Sequence, residues 1–121
     1  MSTAARILVV EDEWLLAEDH AFLLRKAGFE VVGPAASVRD ALQLIDAQKV
    51  DLALLDIGLA EETSFPIAKR LDALGIPFVF LSGHFGEDHP SHFPHRQILS
   101  KPAAPDEMIA ALRALAAAQS S

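Results

Sequence analysis

The chain has no cysteine, which removes disulfide frameworks, thiolate zinc sites and cysteine nucleophiles together. Any chemistry therefore falls to carboxylates, histidines, hydroxyls and lysines. Long apolar runs are also missing. None approaches the roughly eighteen residues that cross a bilayer, and residues 1–6 are too short and polar for a secretory signal. These absences predict a soluble, cytoplasmic protein with no membrane partner. Positive charge is scarce as well: 10 Lys and Arg stand against 17 Asp and Glu, a formal net charge of −7, which argues against unaided nucleic-acid binding. At 121 residues and 51% apolar content, the chain suits one domain over 1–121, with a core over about 6–118, and is too short for two.

Short apolar runs alternate with helix-like stretches. Residues 7–10, 52–55 and 78–81 are continuous enough for strands buried on both faces, Val31 and Val32 make a weaker run, and Ile98 and Leu99 a short fifth. Over residues 14–27, Leu16, His20, Leu23, Leu24 and Ala27 fall on one helical stripe that Gly28 stops. Ser37, with Asp40 three residues on, reads as a helix start, and Ala41, Leu42 and Ile45 give that helix its apolar face. Residues 65–74, closed by Gly75, predict a third helix. Pro105 suits the first turn of a last one carrying Met108, Leu112 and Leu115, whose Ala-rich end frays at 119–121. Residues 83–96 hold Pro90, Pro94, Gly86 and four histidines with little periodicity, so the expected fourth helix becomes a loop with at most a short helix. The alternation is that of an α/β, doubly wound parallel sheet with helices on both faces.

In such a sheet, functional groups gather beyond the carboxyl ends of the strands. Glu11, Asp12 and Glu13 follow the first run, Asp56 the third, Ser82 the fourth, and Lys101 the fifth, just before Pro102. Closely spaced carboxylates repel one another unless a hard divalent cation sits among them. Magnesium is the expected occupant, with Asp12 and Asp56 as direct ligands, Glu11 acting through water and the Gly58 carbonyl as a further oxygen. Such a site leaves room for a phosphoryl group, whose oxygens Lys101 and the Ser82 hydroxyl can contact. Asp56 is the candidate nucleophile, because it ends the central run beside the small Gly58.

The segments VVEDE, LALLDIGL, FLSG and SKP together resemble the receiver domain of bacterial response regulators, across residues 6–116. The resemblance implies a flavodoxin-like strand order 2-1-3-4-5. It also implies that Asp56 accepts a phosphoryl group from a histidine kinase or phosphotransfer protein, Glu11 and Asp12 bind magnesium, Ser82 reports phosphorylation and Lys101 pairs with the phosphoryl group. A cis Lys101-Pro102 bond is expected with it. SFPIAKRL followed by GIPFVFLSGHF is similar to single-domain receivers with a Phe-Ala-Thr-Gly-x-Tyr signature, here with Leu81, Ser82 and Phe85 in place of Ala, Thr and Tyr. That subgroup is associated with sensor kinases of the alphaproteobacterial stress and light-response type.

The implied protein is a stand-alone switch, not a conventional enzyme, that catalyses only its own phosphotransfer and dephosphorylation. Its output is a changed surface presented to a downstream protein, and the phosphorylated face is a candidate homodimer surface. The chain departs from the receiver pattern in three places. Ile98 replaces the switch aromatic, leaving Phe85 or the 83–96 loop to take its part. Ala60 stands where a proline is usual, which opens the shape of that loop. Gly58 and His84 occupy rim positions, and His84 is expected to tune the lifetime of the phosphoryl group.

Two competing readings stay open. A haloacid-dehalogenase-like small phosphatase would also use a strand-end aspartate and magnesium, but its acid/base aspartate would fall at Gly58. A degenerate receiver would bind partners without phosphorylation. Cut from a longer protein, the chain would equally be the receiver of a hybrid kinase or transcription factor. Among the remaining residues, His84, His89, His92 and His95 fit no usual metal-ligand spacing and read as a solvated loop. His20 reads as a buried, hydrogen-bonded histidine. Trp14 and Phe22, eight residues apart on the first helix, read as marginal packing, with a docking patch as the alternative.

Overall fold

The computed structural model describes residues 4–83 and 97–120. Along the chain, β1 (Arg6–Val10), α1 (Trp14–Lys26), β2 (Glu30–Ala35), α2 (Val38–Ala47) and β3 (Leu52–Asp56) alternate. A small hairpin of β4 (Gly58–Leu59) and β5 (Glu62–Thr63) follows, then α3 (Phe65–Ala73), β6 (Phe78–Ser82), β7 (Gln97–Ser100) and α4 (Pro105–Ser120). The five long strands form one parallel sheet in the order β2-β1-β3-β6-β7. Counted within that sheet, the order is the expected 2-1-3-4-5. The loop expected over residues 83–96, with His84, Phe85, His89, His92 and His95, lies outside the described residues except for Gly83.

Alternation along the strands divides the interior into two layers, because successive side chains in a strand point to opposite faces. Leu8, Val10, Ala53, Leu55, Phe78 and Phe80 pack against Ala41 and Ile45 of α2 and Ile67, Ala68 and Leu71 of α3. Ile7, Val9, Leu52, Leu54, Val79 and Leu81 pack against Leu24 of α1 and Met108, Ala111 and Leu112 of α4. Phe80 meets both Phe65 and Phe78 edge-on, at ring-centroid distances of 5.9 and 5.3 Å. Apolar side chains on both faces explain why these strands read as unbroken apolar runs.

Local signals terminate the elements much as the sequence predicts. The Ser37 hydroxyl accepts from the Asp40 amide at 3.1 Å and caps α2, and Gly28 takes a φ of +100° after α1. The last helix begins at Pro105 and continues to Ser120, into the residues where fraying is expected. The Gly33-Pro34 bond within β2 is cis, as is the expected Lys101-Pro102 bond after β7. Gly33 has a φ of +93°, and a Cβ there would stand 2.8 Å from the Ala35 nitrogen. Only glycine fits that turn, and the pairing of β1 with β2 shifts register across it.

Two readings of α1 need correction. Its buried face is Ala17, His20, Ala21 and Leu24, so Leu16 and Leu23, on the expected stripe, are only half buried. Trp14 and Phe22 are not packed at the margin: they are 71% and 61% exposed, and Leu15 is 74% exposed beside them. No helix among the described residues is long and apolar enough to cross a membrane.

Candidate functional site

Strand pairing sets the site. Val10 pairs with Leu55 and Asp56 with Leu81, so the residues following β1 and β6 arrive beside the end of β3. Glu11 is held at the sheet edge by its amide, which donates to the Ala35 carbonyl at 3.0 Å. The same edge receives Lys101, whose amide donates to the Ser82 carbonyl at 2.8 Å. Ligand oxygens of Glu11, Asp12 and Asp56 lie within 4.8 Å of one another. Glu11 and Asp56 are 2% and 4% exposed, while Asp12 faces solvent.

Lys101 joins the two buried acids. Its Nζ donates to Asp56 Oδ2 at 2.9 Å and ion-pairs with Glu11 Oε1, also at 2.9 Å. The contact to Oε1 is an ion pair without hydrogen-bond alignment, which leaves that buried oxygen without a hydrogen-bond partner. The other Glu11 oxygen, Oε2, accepts from the Glu13 amide at 3.2 Å. Burial raises Asp56 from its usual 3.8 to about 7, with Glu11 adding to the rise and Lys101 opposing it. Burial works to lower Lys101, but its close contacts with the Glu11 and Asp56 carboxylates prevail and raise it. One ammonium thus does not balance the carboxylates around it.

A cavity of about 380 Å³ opens over this cluster, lined by Asp12, Glu13, Leu16, Asp56, Gly58, Gly83, Lys101 and Pro102. Ser82 is half buried at the end of β6, one residue beyond the partner of Asp56. Of the residues predicted from sequence, Glu11, Asp12, Asp56 and Lys101 therefore converge, Gly58 lines the rim, and Ser82 ends the adjoining strand. A larger groove, about 580 Å³, lies at the opposite end of the strands. There Arg6 donates to the Lys49 carbonyl and to Gln48, and Arg113 donates to the Ala27 carbonyl, so its cations are committed to structure. The residues predicted from sequence gather at the smaller cavity.

The cluster suits a hard divalent cation. All its donors are oxygens, they are close enough to share one ion, and the buried Glu11 Oε1 lacks a hydrogen-bond partner. Asp12 and Asp56 would hold magnesium directly, with Glu11 behind them and the Gly58 carbonyl at the rim.

Two features of the site were not read from sequence. The β4-β5 hairpin, with Gly58 paired to Thr63 and Leu59 to Glu62, turns through Ala60 at a φ of +29°. The Ala60 amide donates to Asp12 Oδ2 at 2.7 Å. Alanine rarely marks such a turn, so Ala60 and Glu61 at its tip carry no glycine or asparagine signal for it. The second feature is His20, buried as expected but not hydrogen-bonded through Nδ1. Burial lowers its pKa, as does the charge of Lys101, against the opposing pull of Glu11 and Asp19.

Comparison with known proteins agrees with this fold. A family profile described as the response regulator receiver domain matches residues 7–113. The solution structure of SdrG from Sphingomonas melonis Fr1 is 38% identical, covers 95% of this chain and 98% of its own, and superposes with a TM-score of 0.82. A CheY-like receiver domain protein from Methanospirillum hungatei JF-1 shares the fold at 22% identity, 92% coverage of each chain and a TM-score of 0.83. The transcriptional regulatory protein PdtaR of Mycobacterium tuberculosis is 32% identical over 84 residues, which are 69% of this chain and 41% of that protein. The chain thus spans less than half the length of that curated relative.

Proposed function

The chain belongs to the response regulator receiver family of two-component signalling, and from that premise we propose that it is a magnesium-dependent phosphoacceptor switch with Asp56 as the accepting residue. The observation that carries the reading is the Lys101 ammonium, 2.9 Å from both Asp56 and Glu11, at the mouth of an acidic cavity. Receiver domains are signalling switches and not classical enzymes, so the chemistry required of the site is brief.

The donor is a phosphohistidine on a sensor histidine kinase or a histidine phosphotransfer protein. An Asp56 oxygen attacks phosphorus in line, the phosphorus–nitrogen bond breaks as the phosphorus–oxygen bond forms, and the electron pair leaves with the imidazole. Bound magnesium would supply the positive charge that keeps the carboxylates ionised and offsets the charge of the incoming phosphoryl group. Lys101 transfers its contact from Asp56 to a phosphoryl oxygen, and the Ser82 hydroxyl donates to another. Since Ser82 ends β6 beside Lys101, its movement biases the surface around β6 and β7 toward a second state. The output is a protein–protein contact with a downstream partner or a second copy of the chain.

The exposed Trp14, Leu15 and Phe22 favour the docking reading of α1, because large apolar side chains grouped near a reactive cleft are suited to a partner helix. The phosphatase reading lacks support, since Gly58 offers no acid/base carboxylate. Intact mass after incubation with a small acyl phosphate and magnesium tests the proposal. One added phosphoryl group, absent in Asp56→Asn and with a chelator present, is the expected result. No adduct on folded, magnesium-binding protein would leave the phosphorylation-independent module as the better account.

A further inference from the structure

Asp12 differs from the other acids of the cluster in having no packing to orient it: Glu11 and Asp56 are buried, whereas Asp12 is exposed. Among the described residues, the hydrogen bond to its carboxylate comes from the Ala60 amide, at 2.7 Å to Oδ2. A contact this short is charge-assisted and occupies one of the two oxygens. The amide engages only that oxygen, on a residue that lines the cavity.

The amide reaches Asp12 because of how the hairpin is built. Ala60 sits at a φ of +29°, a conformation that L-residues adopt reluctantly. The hairpin is fixed on its far side by Glu62, whose Oε2 accepts from the Val38 amide at the first turn of α2, at 3.0 Å. One end of this six-residue strap therefore touches the acidic cluster and the other is pinned to a helix N-terminus. A strained tip held between two hydrogen bonds points to a constraint imposed by the site.

Resting on the reading of the cluster as a magnesium site, we propose that Ala60 is a positioning residue, whose main-chain amide fixes the Asp12 carboxylate as a single-oxygen ligand and so sets magnesium affinity. Glu62 anchors the strap that delivers it. Magnesium requires near-ideal octahedral placement of few protein oxygens, so a carboxylate with one oxygen pinned and one free meets its demand better than a swinging one. Groups that orient a ligand without touching the metal typically alter affinity by 10–100-fold when removed.

The test is titration of the full chain with magnesium chloride, read by calorimetry and by the fluorescence of Trp14, the one tryptophan. Ala60→Gly keeps the amide and is expected to bind within about twofold of wild type. Ala60→Pro lacks the N–H and cannot hold a φ of +29°, so it withdraws both the donor and the turn that delivers it, and is expected to bind about tenfold more weakly. A folded Ala60→Pro with wild-type affinity would overturn the inference. Should that variant lose its native far-ultraviolet spectrum, Glu62→Ala is compared with Glu61→Ala, which removes the same charge from the same hairpin without the α2 anchor. Weaker binding by Glu62→Ala supports the strap, and equal binding overturns it. A wild-type chain that binds no magnesium would instead overturn the reading of the site itself.

Discussion

Replacing Asp56 by asparagine should stabilise the metal-free protein, and by an amount that depends on pH. In the folded state burial raises this carboxyl from 3.8 to about 7, so the fold retains its proton where the unfolded chain has released it. Between those values the folded state binds more protons, and stability falls as pH rises. The difference is about three pH units at ~1.4 kcal/mol each, about 4 kcal/mol in full. Solvent at the mouth of the cavity reduces this to about 2 kcal/mol.

Asparagine keeps the shape and does not titrate. Its advantage over the wild type should therefore be close to zero near pH 4, below about 1 kcal/mol at pH 5, and complete at about 2 kcal/mol by pH 8. Lys101 titrates in the alkaline range, outside this window. Urea denaturation of both proteins in chelator across that range measures the gap. Saturating magnesium should reverse it at pH 8, because binding at a hundred times Kd adds about 2.7 kcal/mol to the wild type alone. A gap independent of pH, or a less stable asparagine variant at pH 8 without metal, would refute the electrostatic account.

Three further outcomes are expected. Trp14→Ala should change stability by no more than about 0.5 kcal/mol, since the side chain is exposed, yet slow phosphotransfer from a phosphohistidine donor; equal slowing with a small acyl phosphate would remove the docking role. His20→Leu should be neutral or stabilising by about 1 kcal/mol at pH 8, because it removes a buried nitrogen without a partner. Burial lowers the pKa of His20, so the wild type should lose stability as pH falls below about 6.5 while the variant is spared that loss, as paired thermal melts would show. Lys101→Met leaves Glu11 and Asp56 facing each other, and should cost more stability at pH 8 than at pH 5 and lower the acyl-phosphate reaction rate at least about tenfold, measured by intact mass.

The sheet was legible because its strands are buried on both faces, which writes each as an apolar run with its polar residue at the end. The same rule exposed Glu11, Asp12, Asp56 and Lys101, since a charged residue abutting such a run must sit at the sheet edge. The segment containing Ala60 was illegible for the opposite reason. Its turn is imposed by Asp12 and by the α2 terminus, and no local preference of GLAEET encodes it. The stripe on α1 was misplaced by one position because Ala17 and Ala21, small enough to lie flat under the helix, contribute little to an apolar pattern dominated by leucines. Likewise, sequence marks His20 as buried but not what its nitrogen meets.

The two interior layers share no side chain, since the strands send Leu8 and Val10 one way and Ile7 and Val9 the other. Substitutions on opposite sides of the sheet should accordingly behave as independent thermodynamic events, and Leu24→Ala combined with Ile67→Ala should cost the sum of the single losses within about 0.5 kcal/mol. A lineage could therefore redraw the α2 and α3 surface while leaving the α1 and α4 side untouched, changing one set of acquaintances without renegotiating the other.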